Sequence, residues 1–305
     1  MTSRSADLIA VVGPTASGKT RRAVRLAEAF QGEIISGDSR QVYRGMTLGT
    51  GKDLDEYGSV PYHLIDVAEA GEKYNLHRFL QDATAAEREI RHRGHTPIVC
   101  GGTGMYIEAF LNNLVLPEVP ENKELRASLA DKSLDELTGM LAEMKVLHNQ
   151  TDVDSVKRAI RAIEIQTYYR EHPQEAKSVK PQPRTDVTLV GVDIPRDVRR
   201  QLISERLSKR FDEGMLDEVA QLLEKGIAAE DLIYYGLEYK YLTLHLIGQL
   251  SYQDMFSQLE IAIHQFAKRQ MTWFRGMERR GFRINWLPYD LTDDEFVDRV
   301  SHLMH

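Results

Sequence analysis

The eight residues Gly13, Pro14, Thr15, Ala16, Ser17, Gly18, Lys19 and Thr20 fit the pattern G-x-x-x-x-G-K-[ST]. An apolar run, Leu8 to Val12, precedes them, and a helix-like stretch from Lys19 to Phe30 follows. Few folds accept that order. A short continuous apolar run is a strand buried on both faces of a parallel sheet. The glycines let backbone N–H groups turn inward around a polyphosphate. Lys19 adds a point charge, the helix N-terminus adds its dipole, and Thr20 offers a hydroxyl to Mg²⁺. The pattern predicts a bound diphosphate or triphosphate and leaves open whether it belongs to a nucleotide. An NTPase or kinase needs a second acid for the metal, and the nearest candidate is Asp66, after Ile65.

The rest of the chain extends the same alternation. Glu33 to Ser36, His63 to Asp66 and Thr96 to Cys100 read as strands, and Leu76 to Arg93 as a helix closed by Gly94. The pattern changes near Pro117 and Pro120: Glu121 to Glu171 is purely helical, and Pro173, Pro181 and Pro183 then mark an extended or loop stretch. Strand character returns at Asp186 to Ile194, followed by helices over about 197–224, 237–248 and 251–280 and an edge strand at Arg283 to Leu287. The expected fold class is α/β: a P-loop NTPase-like parallel sheet flanked by helices, with a helical insertion domain. The catalytic core is read at 1–117 and 186–305 and the insertion at 118–185.

Asp38 follows the second strand and Thr103 follows the Thr96 strand. In a parallel sheet both therefore stand on the rim where the phosphate loop lies, the side on which such sheets bind ligands. Asp38 is placed to act as a general base, or else is a turn aspartate. Thr103 is placed to steady a leaving oxygen, or else is a helix N-cap.

Hydrophobic residues are 42% and charged residues 28%, enough for a sizeable core and against bulk disorder. No apolar run reaches about 18 residues, so no membrane helix is expected. The N-terminus, Met1 to Asp7, is short and polar, and a soluble, cytoplasmic monomer is expected. The lone Cys100 excludes an internal disulfide or a cysteine-rich zinc site. The net charge of −7 argues globally against nucleic acid, but the charges are segregated. Arg196 to Arg210 holds six basic and two acidic residues; His264 to Arg283 holds six and one. Such local excess suits a phosphate backbone, whereas Asp290 to Asp298 reads as an acidic tail. Arg206 and Arg210 share a helix face and either meet pyrophosphate or are merely exposed. Trp273 and Phe274 read as core.

Several segments, taken in order, resemble the tRNA dimethylallyltransferases, also called tRNA isopentenyltransferases. They are GPTASGKT (13–20), GDSRQVYRGMTLGT (37–50), PYHLID (61–66), GGTGMY (101–106), KRAIRAIEI (157–165), ERLSKRFDEGMLDEV (205–219) and AKRQMTWFRG (267–276). The resemblance implies transfer of a dimethylallyl group from dimethylallyl diphosphate to N6 of adenosine 37, beside the tRNA anticodon, with Mg²⁺. It implies that the phosphate loop holds the donor's diphosphate. By the same match Asp38 is the base for the adenine amine, Thr103 stands at the donor's bridging oxygen, and Arg126 is associated with catalysis. Asp38, Ser39, Arg40 and Gln41, with Lys157, Arg158, Ala159, Ile160 and Arg161, match segments that touch tRNA. The chain departs from the family at Gly236-Leu237-Glu238, where glycine, tyrosine and a basic residue are common. It departs again at Gly51-Lys52-Asp53, where alanine, lysine and proline are usual. The zinc-binding C-terminal module of eukaryotic relatives is absent, which fits the bacterial type. A P-loop small-molecule kinase would explain residues 13–20 but not GDSRQVYRGM. A free-adenylate isopentenyltransferase needs neither the insertion nor the basic helices.

Overall fold

The computed structural model describes residues 8–146, 153–178 and 180–304; Met1 to Asp7 lie outside them. The chain divides into two compact units, one running to Asn112 and resuming at Pro183, the other Asn113–Gln182.

The first unit contains six strands: β1 (Leu8–Val12), β2 (Gly32–Ser36), β3 (Tyr62–His63), β4 (Thr96–Gly101), β5 (Val187–Asp193) and β6 (Asn285–Pro288). They form one wholly parallel sheet in the order β3-β2-β4-β1-β5-β6. The fold class is as expected. Its first three helices are α1 (Lys19–Phe30), α2 (Leu76–His92) and α3 (Gly104–Leu111). The second unit contributes α4 (Lys123–Leu129), α5 (Leu134–Met144), α6 (Val156–Glu171) and α7 (Pro173–Ser178). The first unit then adds α8 (Arg196–Asp212), α9 (Met215–Glu224), α10 (Ala229–Tyr234), α11 (Leu237–Leu246), α12 (Tyr252–Arg279) and α13 (Asp293–Leu303). No helix of the described residues is long and apolar enough to cross a membrane.

Each of β1, β2 and β4 is buried along its whole length. Ile9, Val11, Ile34, Ile98, Val190 and Val192 join Ala23 and Leu26 of α1 and Phe296 and Val300 of α13 in one core. The alternate residues Leu8, Ala10, Ile35 and Val99 are equally buried, so the sheet is covered on both faces. That explains the continuous apolar runs.

Five expectations change. Helix α7 occupies Pro173–Ser178, where an extended or loop stretch was expected. The third strand ends at His63, because Leu64 and Asp66 both take left-handed backbone angles, which no ladder accepts. The helix expected over 197–224 breaks at Gly214, whose φ of 93° caps α8 and starts α9. Helix α10 was not expected. Nor is the acidic stretch after Asp290 a tail: Thr292 and Glu295 form a capping box that opens α13. Asp293, inside its first turn, accepts from Arg21, Arg22 and Arg25 of α1.

In the second unit, Leu129, Leu137, Leu141, Ala159, Ala162 and Ile163 make a separate core. Helix α5 begins with its own capping box, Ser133 and Glu136.

Candidate active site

The phosphate loop leaves β1 and enters α1 through two left-handed residues, Ala16 (φ 60°) and Gly18 (φ 74°). Gly18 adopts this conformation without strain; Ala16 does so at a cost characteristic of functional turns. Ser17 is buried inside the loop, and its hydroxyl has no hydrogen-bond partner among the described residues. A buried, unpaired hydroxyl costs about 1–3 kcal/mol.

Two glycines bring the other site residues together. Gly37 N–H donates to the Cys100 carbonyl at 2.7 Å. A Cβ on Gly101 would lie 2.4 Å from the Gly37 carbonyl carbon, so the ends of β2 and β4 touch backbone to backbone. Asp38 and Thr103, one and two residues beyond these contacts, become neighbours. Ser39 N–H donates to Thr103 Oγ1 at 3.1 Å. Thr103 occupies the N-cap position of α3, but its side chain makes no cap bond there. Asp38 Oδ1 accepts from Arg40 N–H at 2.9 Å, an Asx turn, and Oδ2 has no hydrogen-bond partner among the described residues.

Asp38, Thr103, Thr15, Lys19 and Thr20 line one cavity of about 530 Å³. Lys19 Nζ lies 3.4 Å from the Pro14 carbonyl. Burial pushes its ammonium pKa down, partly opposed by Asp38. Arg206 and Arg210 of α8 also face this cavity rather than being merely exposed. Arg206 donates to Thr15 Oγ1, and Arg210 donates to both Asp53 oxygens at 3.3 Å. Burial, with Arg210 adding repulsion, brings the Arg206 guanidinium down to about 10, so it is charged at neutral pH. The cavity therefore holds a cationic end. Its other lining includes Ile233, Leu237, Ile263, Phe266 and Trp273. Phe274 is core as expected, but Trp273 is 40% exposed and faces the cavity.

The remaining sequence candidates are distributed as follows. Ser39, Arg40 and Gln41 line the cavity, with Arg40 stacked over Tyr234 at 5.7 Å. Gln41 is engaged internally, accepting from Ser36 Oγ at 2.8 Å and donating to the Gly51 carbonyl at 3.0 Å. Asp66 is held by buried Lys52 at 2.5 Å. His63, with His95 and Arg93, serves the buried carboxylate of Glu33.

Within the second unit, Arg126 forms a two-point ion pair with buried Glu164, at 2.9 and 2.8 Å, and a further one with Glu121. Ala159 is fully buried and Ile160 packs on the same core, whereas Lys157 and Arg158 are exposed. Arg161 is tied to Glu164 and donates to the Val119 carbonyl at 2.8 Å.

Sequence reasoning gave no role to Gln270, Tyr234 or Glu238, all on the cavity wall. Gln270 stands inside the KRQ-x-TWFR motif, but an uncharged residue in mid-helix carries no signal of its own.

No group of three or more His, Cys, Asp or Glu side chains among the described residues is placed to cage a metal. Mg²⁺ usually takes one or two protein ligands beside substrate phosphates and water, so Thr20 at the head of α1, in the same cavity as the Asp38 carboxylate, fits such a site.

Comparison with known proteins agrees with this geometry. The family model described as IPP transferase matches residues 41–277, and that described as isopentenyl transferase matches 6–58. A tRNA dimethylallyltransferase 2 of Phocaeicola vulgatus is 57% identical over 303 residues, covering 98% of each chain. A crystal structure of tRNA delta(2)-isopentenylpyrophosphate transferase from Staphylococcus epidermidis is 31% identical, with a TM-score of 0.70 over 97% of each chain. A eukaryotic dimethylallyltransferase acting on tRNA shares the fold, with a TM-score of 0.79 at 24% identity over 93% of this chain and 74% of that one. An IPP transferase match over well more than half the chain, with a relative of this identity along nearly its whole length, means that the chain belongs to the tRNA dimethylallyltransferase family.

Proposed function

We propose that the chain transfers the dimethylallyl group of dimethylallyl diphosphate to N6 of adenosine 37 in tRNA, releasing pyrophosphate. The observation that carries this reading is the convergence of Asp38, Thr103 and the phosphate loop on one cavity with a cationic end and an apolar wall.

The donor's diphosphate fits the loop between the N-terminus of α1, Lys19 and Arg206. The N6 amine attacks the allylic C1, the C1–O bond breaks, and its electron pair leaves on pyrophosphate. Lys19 and Arg206 meet that growing negative charge, and the Thr103 hydroxyl donates to the bridging oxygen. The proton lost by N6 goes to the free oxygen of Asp38. Mg²⁺, held by Thr20 and the donor's phosphates, would supply further charge stabilisation. The apolar wall suits the five-carbon group and excludes water from it. A base from an anticodon loop is cheap to extract, since it is not paired.

Incubation with dimethylallyl diphosphate and an anticodon stem-loop, followed by nucleoside mass analysis, tests the reading. A prenylated adenosine is expected, and Asp38→Asn should slow single turnover by about 100-fold or more. Phosphate transfer from ATP to a small molecule, with unmodified RNA, would overturn it.

A further inference from the structure

Gln270 lies on α12, is 6% exposed, and reaches the cavity wall. Its Oε1 accepts from Thr15 N–H at 2.8 Å, and its Nε2 donates to the Gly102 carbonyl at 2.9 Å. One partner is a backbone donor and the other a backbone acceptor, so only this orientation of the amide satisfies both. The two partners belong to different turns. Thr15 is in the phosphate loop after β1; Gly102 immediately precedes Thr103 after β4. A Cβ at Gly102 would lie 2.3 Å from Gln270 Nε2. One turn further along α12, Trp273 closes on the same segment: a Cβ at Gly104 would lie 2.4 Å from its Cδ1. Glycine at 102 and 104 is what lets α12 press this closely.

We infer that Gln270 is a positioning residue of the transfer, fastening the phosphate loop to the Thr103 turn so that the Thr103 hydroxyl meets the donor's bridging oxygen. The inference rests on the function proposed above. Its physical content is a fixed separation. The diphosphate is held by backbone around Thr15 and the bridging oxygen by Thr103, so the C1–O bond is addressed only when these turns keep their spacing. A buried amide between two backbone groups is well suited to hold it, whereas an apolar residue of the same volume would fill the space but hold neither turn. Gln270 itself touches no reacting atom.

Two variants test this. Q270M keeps volume and loses both bonds. Its single-turnover rate should fall about ten- to a hundredfold, the scale of a small misplacement, with donor affinity within about threefold of wild type. Q270E keeps the acceptor toward Thr15; only its protonated form regains a donor toward Gly102. Its rate relative to wild type should therefore recover as pH is lowered from neutrality. Lys19, Arg40, Arg206, Arg210, Lys240 and Arg269 are the basic side chains and Asp38, Asp53 and Glu238 the acidic ones on the same cavity wall. They are present in both proteins, so the ratio removes their own titration to first order. A Q270M rate equal to wild type overturns the inference. So does a loss in both variants that is matched by a lower active fraction and is independent of pH, since that marks a merely structural role. Should wild type itself fail to prenylate the RNA, the proposed function falls instead, before Gln270 enters.

Discussion

Replacing Phe296 by alanine examines whether the acidic C-terminal segment is part of the core. Phe296 is fully buried on α13, among Ile9, Val11, Ala23 and Leu26. The Arg22 guanidinium stands 5.0 Å from its ring centre, and Asp293 one turn earlier accepts from Arg22 at 2.7 Å. Truncating a core phenylalanine costs about 3–5 kcal/mol, the higher figure where the cavity cannot collapse. Here sheet strands form one wall, so little collapse is possible. The loss is a large fraction of a typical total of about 5–15 kcal/mol. Urea unfolding followed by circular dichroism should show a lower midpoint with an unchanged slope. Donor and tRNA affinities of the folded variant should match wild type, because Phe296 meets α1 beyond its phosphate-binding end. A loss below about 1 kcal/mol, the range of ordinary surface substitutions, would refute the docking of α13. Removing 290–305 altogether should unfold much of the protein rather than act neutrally.

Two further outcomes follow from charge. Burial alone would raise the Glu33 carboxyl, but hydrogen bonds from Arg93, His63 and His95 outweigh it and hold its pKa at about 2, below the ordinary 4.5. Its stabilisation is therefore present above pH 4.5 and lost as pH falls toward 2. Glu33→Gln should cost on the order of 3 kcal/mol at pH 7, with the difference from wild type shrinking on acidification; urea midpoints at several pH values check this, and a pH-independent difference would contradict it. For tRNA, reversal of exposed Lys157 and Arg158 to glutamate should weaken binding and lower the salt slope by about 1 per lost phosphate contact, leaving donor affinity intact. Equal salt slopes in a titration against an anticodon stem-loop would exclude these residues as contacts. Arg161 is left out of the reversal because its bonds to Glu164 and Val119 hold its own unit together.

The sheet was legible because β1, β2 and β4 are short apolar runs, each followed by a glycine turn, as buried parallel strands read. The rim was legible too: strand order within the chain places Asp38, Thr103 and the phosphate loop at corresponding strand ends. What sequence left open was which reading of each residue holds. Whether Thr103 caps α3 depends on where one hydroxyl points, and that is set by the Gly37–Gly101 contact, sixty-odd residues apart in sequence. The α13 helix was hidden by its own charges. Five carboxylates between Asp290 and Asp298 suggest a solvated tail, yet the capping pattern Thr292 to Glu295 and the spacing of Phe296 and Val300 were there to read. Gln270 had no such signal. Its meaning lies in two backbone partners, and no local pattern encodes them.

The exchange at Glu238 gains a physical account from the cavity. Arg206 and Arg210 stand one turn apart on α8, and Arg210 disfavours the charge on Arg206. Burial and Arg210 lower the Arg206 guanidinium, while Asp53, Glu238 and Glu56 support it. A basic residue at 238 would add a third cation to that pair. The glutamate instead places a carboxyl where two guanidiniums converge, and they oppose the burial that pushes its pKa upward. Gly236, at φ 141°, starts α11 in a conformation that side chains rarely adopt, and thereby sets Leu237 and Glu238 on the cavity wall. The departure from the family pattern therefore falls on the wall of the cavity itself, beside its two arginines.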